Sequence, residues 1–303
     1  MAGRRIDDPL WKSIIEETSV HFLAYFYPDA MKLIDFDREI IYLDKEFSQL
    51  FPSEEGKQAT RYVDKLLKVF LRNGSEQYFL IHIEIQSNKG KGDLAKRMFQ
   101  YFYRILDKYD VPITALAILA DPQAAYRPTV YVHEFLGTRL SYRFNHYKIL
   151  DQQENSLRAD PNPFAVVILT VLSAIKHRHV DDEELKSIKL DLYEEMMQRK
   201  MDRNCRRGIY DFLTHYVRFQ NKGMYGSFEK AIAKKSGRSN GMGTREYLLE
   251  QAKNEGREEG REEAQRMLEN KIRDFALSLK KLGYPQLEIT KVTGLSKEEV
   301  DAL

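Results

Sequence analysis

Tyr62-Val-Asp-Lys-Leu-Leu-Lys-Val-Phe-Leu-Arg72, Asn73-Gly-Ser75 and Glu76-Gln-Tyr-Phe-Leu-Ile-His-Ile-Glu-Ile-Gln86 read as two strands around a turn signal. Each strand carries an acid, Asp64 on the first and Glu84 on the second. A carboxylate in so apolar a strand has to be paired, protonated or metal-bound. Alternation puts Tyr62, Asp64, Leu66, Lys68 and Phe70 on one face of the first strand, and Tyr78, Leu80, His82, Glu84 and Gln86 on one face of the second. Whether the two faces coincide depends on the turn. A two-residue Asn73-Gly74 turn would oppose Asp64 to Ile83 and leave the acids on opposite faces. A three-residue loop, Asn73-Gly74-Ser75, would pair Arg72 with Glu76 and Asp64 with Glu84, with Cβ atoms about 5 Å apart. Two carboxylates that close repel unless a cation lies between them. The expectation is therefore the second register, or another odd-length loop, with a site for Mg²⁺ or Mn²⁺. No Cys or His cluster at metal-ligand spacing argues for zinc.

The elements around the hairpin follow from local signals. Leu10, Trp11, Ile14, Ile15, Phe22, Leu23 and Phe26 recur at helical spacing up to Pro28. Ile40 to Leu43 reads as a short strand, and Asp44 to Leu50 as a short helix or turn. Ser87 to Asp93 is a basic loop with Lys89 and Lys91, and Asp93 is placed to cap a helix from Leu94 to about Tyr109. Ile113 to Ala120 is an uninterrupted apolar run, the pattern of a strand buried on both faces. Thr129 to Phe135 and Arg139 to Ile149 meet at Gly137 and suggest a second hairpin extending the sheet.

The ordered series Asp64, Glu84-x-Gln86, a helix with Arg97 and Tyr101, and a buried strand resembles the PD-(D/E)XK nuclease superfamily, with Gln where that motif usually has Lys. More narrowly, Leu43-Asp44-Lys45-Glu46, Val63-Asp64-Lys65-Leu66, Ile81-His82-Ile83-Glu84-Ile85-Gln86, Arg97-Met98-Phe99-x-Tyr101 and the Glu-Gly-Arg repeats resemble the Rpn group. These are recombination-promoting nucleases also described as transposases. The resemblance covers residues 8 to 150 strongly and the tail loosely. It implies an α/β, restriction-endonuclease-like αβββαβ core with a helical C-terminal extension, and a Mg²⁺-dependent (or Mn²⁺- or Ca²⁺-dependent) endonuclease cutting DNA phosphodiesters. Asp64 and Glu84 would be the metal ligands and Gln86 would orient the attacking water. The motif's Lys also supplies positive charge, which a neutral amide does not; Lys68 or Arg97 are candidates to restore it. The alternative is a catalytically weak DNA-binding accessory protein that keeps the nuclease fold.

Several residues carry two readings. Lys89, Lys91, Arg97, Tyr101 and Arg104 suit contact with a nucleic-acid backbone, against a solvated loop and a salt-bridged helix face. Glu16 or Glu17 is a candidate additional acid, against ordinary exposed helical glutamates. Asp44 and Glu46 stand in the same position, with capping favoured for Asp44. His82 shares the Glu84 face and is read as a neighbour rather than a base.

Beyond residue 150 the pattern is helical: Phe164 to Lys176, Asp182 to Met201 with Asp181 or Asp182 as cap, and Arg206 to Phe219. The domain plan is a core over 1–150, a helical extension over 151–222, a Gly-, Ser- and Lys-rich linker over 223–243, and a tail over 244–303. The tail reads as a long charged helix, a possible oligomerisation surface, followed by two small helices about Thr293-Gly294. Acidic Glu298, Glu299 and Asp301 argue against a DNA-reading helix there.

Of the 303 residues 31% are charged, yet the net charge is only +2, so any polyanion-binding surface must come from local segregation of Lys and Arg. A single cysteine, Cys205, excludes an internal disulfide framework and fits a reducing compartment. The N-terminus has no apolar signal core, and the longest apolar run, Phe164 to Ile175, is too short to span a bilayer. The expectation is a cytoplasmic protein with DNA as its partner and no membrane contact.

Overall fold

The computed structural model describes residues 8–43, 62–84, 94–235 and most of 265–302; the side chains at 8–9, 62–64, 78 and 81–84 fall outside that description. Asp44, Glu46, Gln86, Lys89, Lys91 and Asp93 also lie outside the described residues. The chain divides into two compact units, 1–245 and 246–303.

The larger unit is a mixed α/β structure. The N-terminal run is two helices, α1 (Asp8–Glu17) and α2 (Ser19–Phe26), rather than one. They part at Thr18, whose hydroxyl donates to the Ile14 carbonyl. The strands β1 (Ile41–Tyr42), β2 (Tyr62–Phe70) and β3 (Glu76–Glu84) are antiparallel neighbours. Helix α3 (Leu94–Tyr109) then crosses over to β4 (Ile113–Leu119), which lies parallel to β3.

The second hairpin is not where alternation put it. β5 (Val130–Phe135) and β6 (Thr138–Arg143) form a separate two-stranded sheet. The continuous strand expected from Arg139 to Ile149 breaks at Phe144, which is buried in the core beneath α3. Beyond it, β7 (Asn145–Lys148) joins the main sheet parallel to β4, giving the order β1-β2-β3-β4-β7.

One sheet face, with Leu66, Leu80, Ala115, Ala117 and Leu119, packs on Leu94, Met98, Tyr101 and Ile105 of α3. The other, with Leu67, Val69, Phe79, Leu116 and Ile118 buried, faces the N-terminal helices. There Tyr27 meets Phe79 at 5.3 Å between ring centroids, and the Tyr25 and Tyr147 hydroxyls lie 2.6 Å apart.

Behind this layer stand α4 (Glu154–Ala159), α5 (Phe164–Lys176), α6 (Asp182–Met197), α7 (Arg203–His215) and α8 (Gly223–Lys235). Helix α5 is apolar on all sides and nearly every residue is buried, as that pattern requires. Trp11 of α1 is wholly buried, edge-on to Phe212 of α7 at 5.1 Å. Asp181 caps α6 by accepting from the Glu184 N–H, and Asp202 caps α7, which begins and ends earlier than its periodicity suggested. Much of the segment read as a linker is helix α8. Phe228 and Ile232, one turn apart, are both buried and hold it to the body in spite of its glycines and lysines.

In the smaller unit, a helix over residues 270–281 (α9) packs Ala276 and Leu279 against Ile289 of α10 (Gln286–Thr293) and Val300 of α11 (Lys297–Asp301). Gly294 ends α10 in the left-handed region, and Ser296 with Glu299 forms a capping box on α11. Among the described residues no helix is long and apolar enough to cross a membrane.

Lys189 of α6 is buried and donates to the carbonyls of Leu213 and Thr214 at the end of α7. Burial pushes its pKa down to about 7. Between pH 7 and 9 the unfolded chain therefore binds the extra proton, and stability should rise with pH by at most about 1.4 kcal/mol per unit. Urea unfolding across that range should show the slope in the wild type and lose it in Lys189→Met.

Candidate functional site on the α3 face of the sheet

The turn after β2 decides which residues share a face. The Leu71 N–H donates to the Ser75 carbonyl at 2.8 Å, and the Gly74 N–H to the Leu71 carbonyl at 2.8 Å. The loop is thus three residues, Arg72-Asn73-Gly74, with Gly74 at φ +86, a conformation that costs an L side chain strain. Asn73 stands one position before the left-handed residue, and its Oδ1 accepts from the Ser75 N–H at 3.0 Å. The Asn-Gly pair therefore closes a three-residue loop, not a two-residue turn.

This loop begins one residue earlier than the expected Asn73-Gly74-Ser75, so the register is offset by two. Asp64 pairs with His82, and Glu84 with Tyr62. Direct opposition of Asp64 and Glu84 is thereby corrected to a diagonal relation. Parity is unchanged, and positions 64 and 84 fall on one face, the face that carries Leu66 and Leu80 and is covered by α3. Across the sheet, one rung reads Asp64, His82, Ala117, His146 and the next Tyr62, Glu84, Leu119, Lys148.

Diagonal positions on an antiparallel pair are on the order of 7–8 Å apart. An Asp and the longer Glu can close that span around one hard cation with oxygen ligands at about 2.1 Å. Among the described residues no group of three or more His, Cys, Asp or Glu could hold a metal, and the side chains of Asp64, His82 and Glu84 are not among those described.

The remaining candidates divide by position. Arg97 is half-buried on the first two turns of α3, and Arg104 is exposed farther along it. Tyr101 is 8% exposed and belongs to the core under α3, so its ring braces the helix rather than meeting a ligand at the surface. Lys68 shares the Asp64 face but stands about 13 Å along the strand, where it pairs with Glu76 at 3.1 Å. Neither glutamate of α1 is on this face. Glu16 pairs with Lys65, whose position alternates to the opposite side of β2, and Glu17 meets Arg207 of α7 at 3.3 Å.

One buried ion pair, and one buried lysine held by a part-exposed glutamate, were not anticipated. Lys65 is fully buried against Glu16. Lys148 and Asp121 are both buried, with Nζ 2.6 Å from Oδ2 and 3.1 Å from the Asp121 carbonyl, while Asp121 Oδ1 accepts from the Gln123 N–H. The second pair fastens β7 to the carboxyl end of β4, on the rung of position 84. Its signal was an acid directly after the apolar run that ends at Ala120, without any local hint of its partner.

No family model matches the chain, and no curated protein or solved structure matches it.

Removing one partner of a buried pair leaves an uncompensated charge. Lys148→Met should destabilise the protein by about 3 kcal/mol, and adding Asp121→Asn should recover a large part of that loss. Denaturant midpoints of the two single variants and the double variant check this.

Proposed function

We propose that this chain is a divalent-metal-dependent endonuclease acting on DNA phosphodiester bonds, of the PD-(D/E)XK kind and similar to the Rpn group. The observation that carries the reading is the even-parity register that sets positions 64 and 84 on the α3 face. It is supported by the motif series Asp64, Glu84-x-Gln86 and Arg97-x-x-x-Tyr101 in that order along the chain. Asp64 and Glu84 would hold the cation. Bound there, a divalent ion lowers the pKa of a water and offsets charge developing on the phosphate. Gln86, two positions after Glu84, can accept from and donate to a water, fixing its direction of attack, but brings no charge. Arg97 and Arg104 of α3, with Lys89 and Lys91 of the preceding loop, provide positive charge for the strand's phosphates.

Asp64→Ala and Glu84→Ala should each reduce plasmid nicking in Mg²⁺ or Mn²⁺ by at least about 100-fold, to the level of the wild type in EDTA. Equal nicking by wild type and Asp64→Ala would overturn the assignment.

The neutral Gln86 gives a second reading specific support, that of a DNA-binding accessory protein with little catalysis. On the nuclease reading Gln86→Lys raises the cleavage rate by restoring the charge. On the accessory reading the wild type binds DNA, shows no Mg²⁺ binding by calorimetry and does not cut.

A further inference from the structure

The β5–β6 hairpin presents its most apolar residues where a fold would ordinarily place polar ones. Phe135 and Thr138 close a two-residue loop, Leu136-Gly137, in which both residues have positive φ, +44 and +82. Such a loop favours Asn or Asp followed by Gly, because a left-handed L side chain meets its own backbone. Here the first position is Leu, 89% exposed, beside a Phe that is 68% exposed. The protein thus holds an apolar side chain in a strained conformation and largely in water.

The hairpin beneath this tip is firmly braced. Tyr131 stacks on Phe99 of α3 at 5.2 Å, and Tyr142 packs on Phe102 at 4.8 Å. At its root Arg127 forms a forked pair with Asp151 beyond β7, and this hydrogen bonding holds the Asp151 carboxyl below its usual range. The outward face carries Arg139 and Arg143. Arg139 is largely exposed and 3.6 Å from Glu134, and Arg143 is exposed with no ion pair among the described residues.

We propose that this hairpin is a nucleic-acid wedge: Phe135 and Leu136 insert between base steps of the bound DNA while Arg139 and Arg143 hold the flanking phosphates. The proposal rests on the reading of the chain as acting on DNA. Size and charge both favour this occupant. Phe135 and Leu136 can bury roughly 350 Å², and the part-exposed Val130, Val132 and Leu140 of the same hairpin add less than that, which leaves the apolar surface under the ~800 Å² per partner of a stable protein interface. A base step is opened by one or two apolar side chains, and Phe and Leu are among those used. The outward face carries two arginines against one glutamate, Arg139 next to the tip and Arg143 about 17 Å from it along the strand, at the root, a spacing of a few phosphates. The bracing on α3 ties the wedge to the helix that carries Arg97 and Arg104.

The test uses the full chain and a duplex with 2-aminopurine at successive positions, in EDTA so that no cutting intervenes. Wild type should raise the 2-aminopurine fluorescence at saturation, because an unstacked base is no longer quenched. Phe135→Ser with Leu136→Asn, in which Asn suits the left-handed position, should keep the wild-type melting temperature, lose the fluorescence rise and bind about tenfold more weakly. Arg143→Gln should lower the slope of log affinity against log salt by about one and keep the fluorescence rise. An unchanged fluorescence rise in the tip variant overturns the wedge. So does a tip variant with intact DNA binding that instead loses self-association in sedimentation or flotation with anionic vesicles. DNA that is bound and unstacked but never cut in Mg²⁺ or Mn²⁺ sinks the nuclease reading and leaves the wedge standing. Cutting that depends on Asp64, together with normal unstacking by the tip variant, does the reverse.

Discussion

A sheet strand offers its side chains to two faces, and one residue of slip exchanges them all. In this protein the exchange is prevented at the β2–β3 loop, where Gly74 in the left-handed region and the Leu71–Ser75 pairing fix an even register. Strand β2 reinforces that choice with its own residues. Lys65 is buried on the side of α1, where Glu16 receives it, and Leu66 is buried on the side of α3. A slip by one would take the lysine away from Glu16 and into the apolar cluster of Leu80, Met98 and Ile105. An unpaired buried ammonium costs several kcal/mol, so the ion pair acts as a register lock. The placement of positions 64 and 84 on a common face follows from that lock and the loop together.

The sheet that results has two characters. On the β1 side it is an antiparallel hairpin, and on the β7 side it is parallel, with α3 as the crossover between β3 and β4. The carboxyl ends of the parallel strands bring Glu84, Leu119 and Lys148 to one rung, where the buried Asp121–Lys148 pair secures the edge strand. Loops at such an edge are common places for ligands to bind. Helix α3 serves this edge twice, covering the sheet with its apolar stripe and bracing the β5–β6 hairpin with Phe99 and Phe102.

How much of this could be read in advance depended on the range of the forces involved. Helices α3 and α5 follow from spacing alone, and the Asp181 cap from a single side chain. The site's parity was legible because it reduces to whether the loop is odd or even. Its offset was not, since Asn73-Gly74-Ser75 and Arg72-Asn73-Gly74 differ by one residue and the Asn73 side chain serves the second. The strand expected from Arg139 to Ile149 failed at Phe144, which alternation treats like any other apolar position and which the core beneath α3 claims. Helix α8 was hidden by glycines and lysines, and Phe228 and Ile232 signify burial only once the other helices are present.

By itself the sequence determined many of the strands and helices, the cap of α6 at Asp181, and that Asp64 and Glu84 belong to one hairpin. These depend on alternation, helical periodicity and turn chemistry, which act over a few residues. Tertiary structure alone decided the two-residue offset of that hairpin, the sheet that β7 joins, and the partners of Lys65 and Lys148, which lie 49 and 27 residues away along the chain. The physical reason is desolvation: a buried charge finds its counter-ion wherever packing brings one, and nothing local to a lysine in the sequence says where that will be.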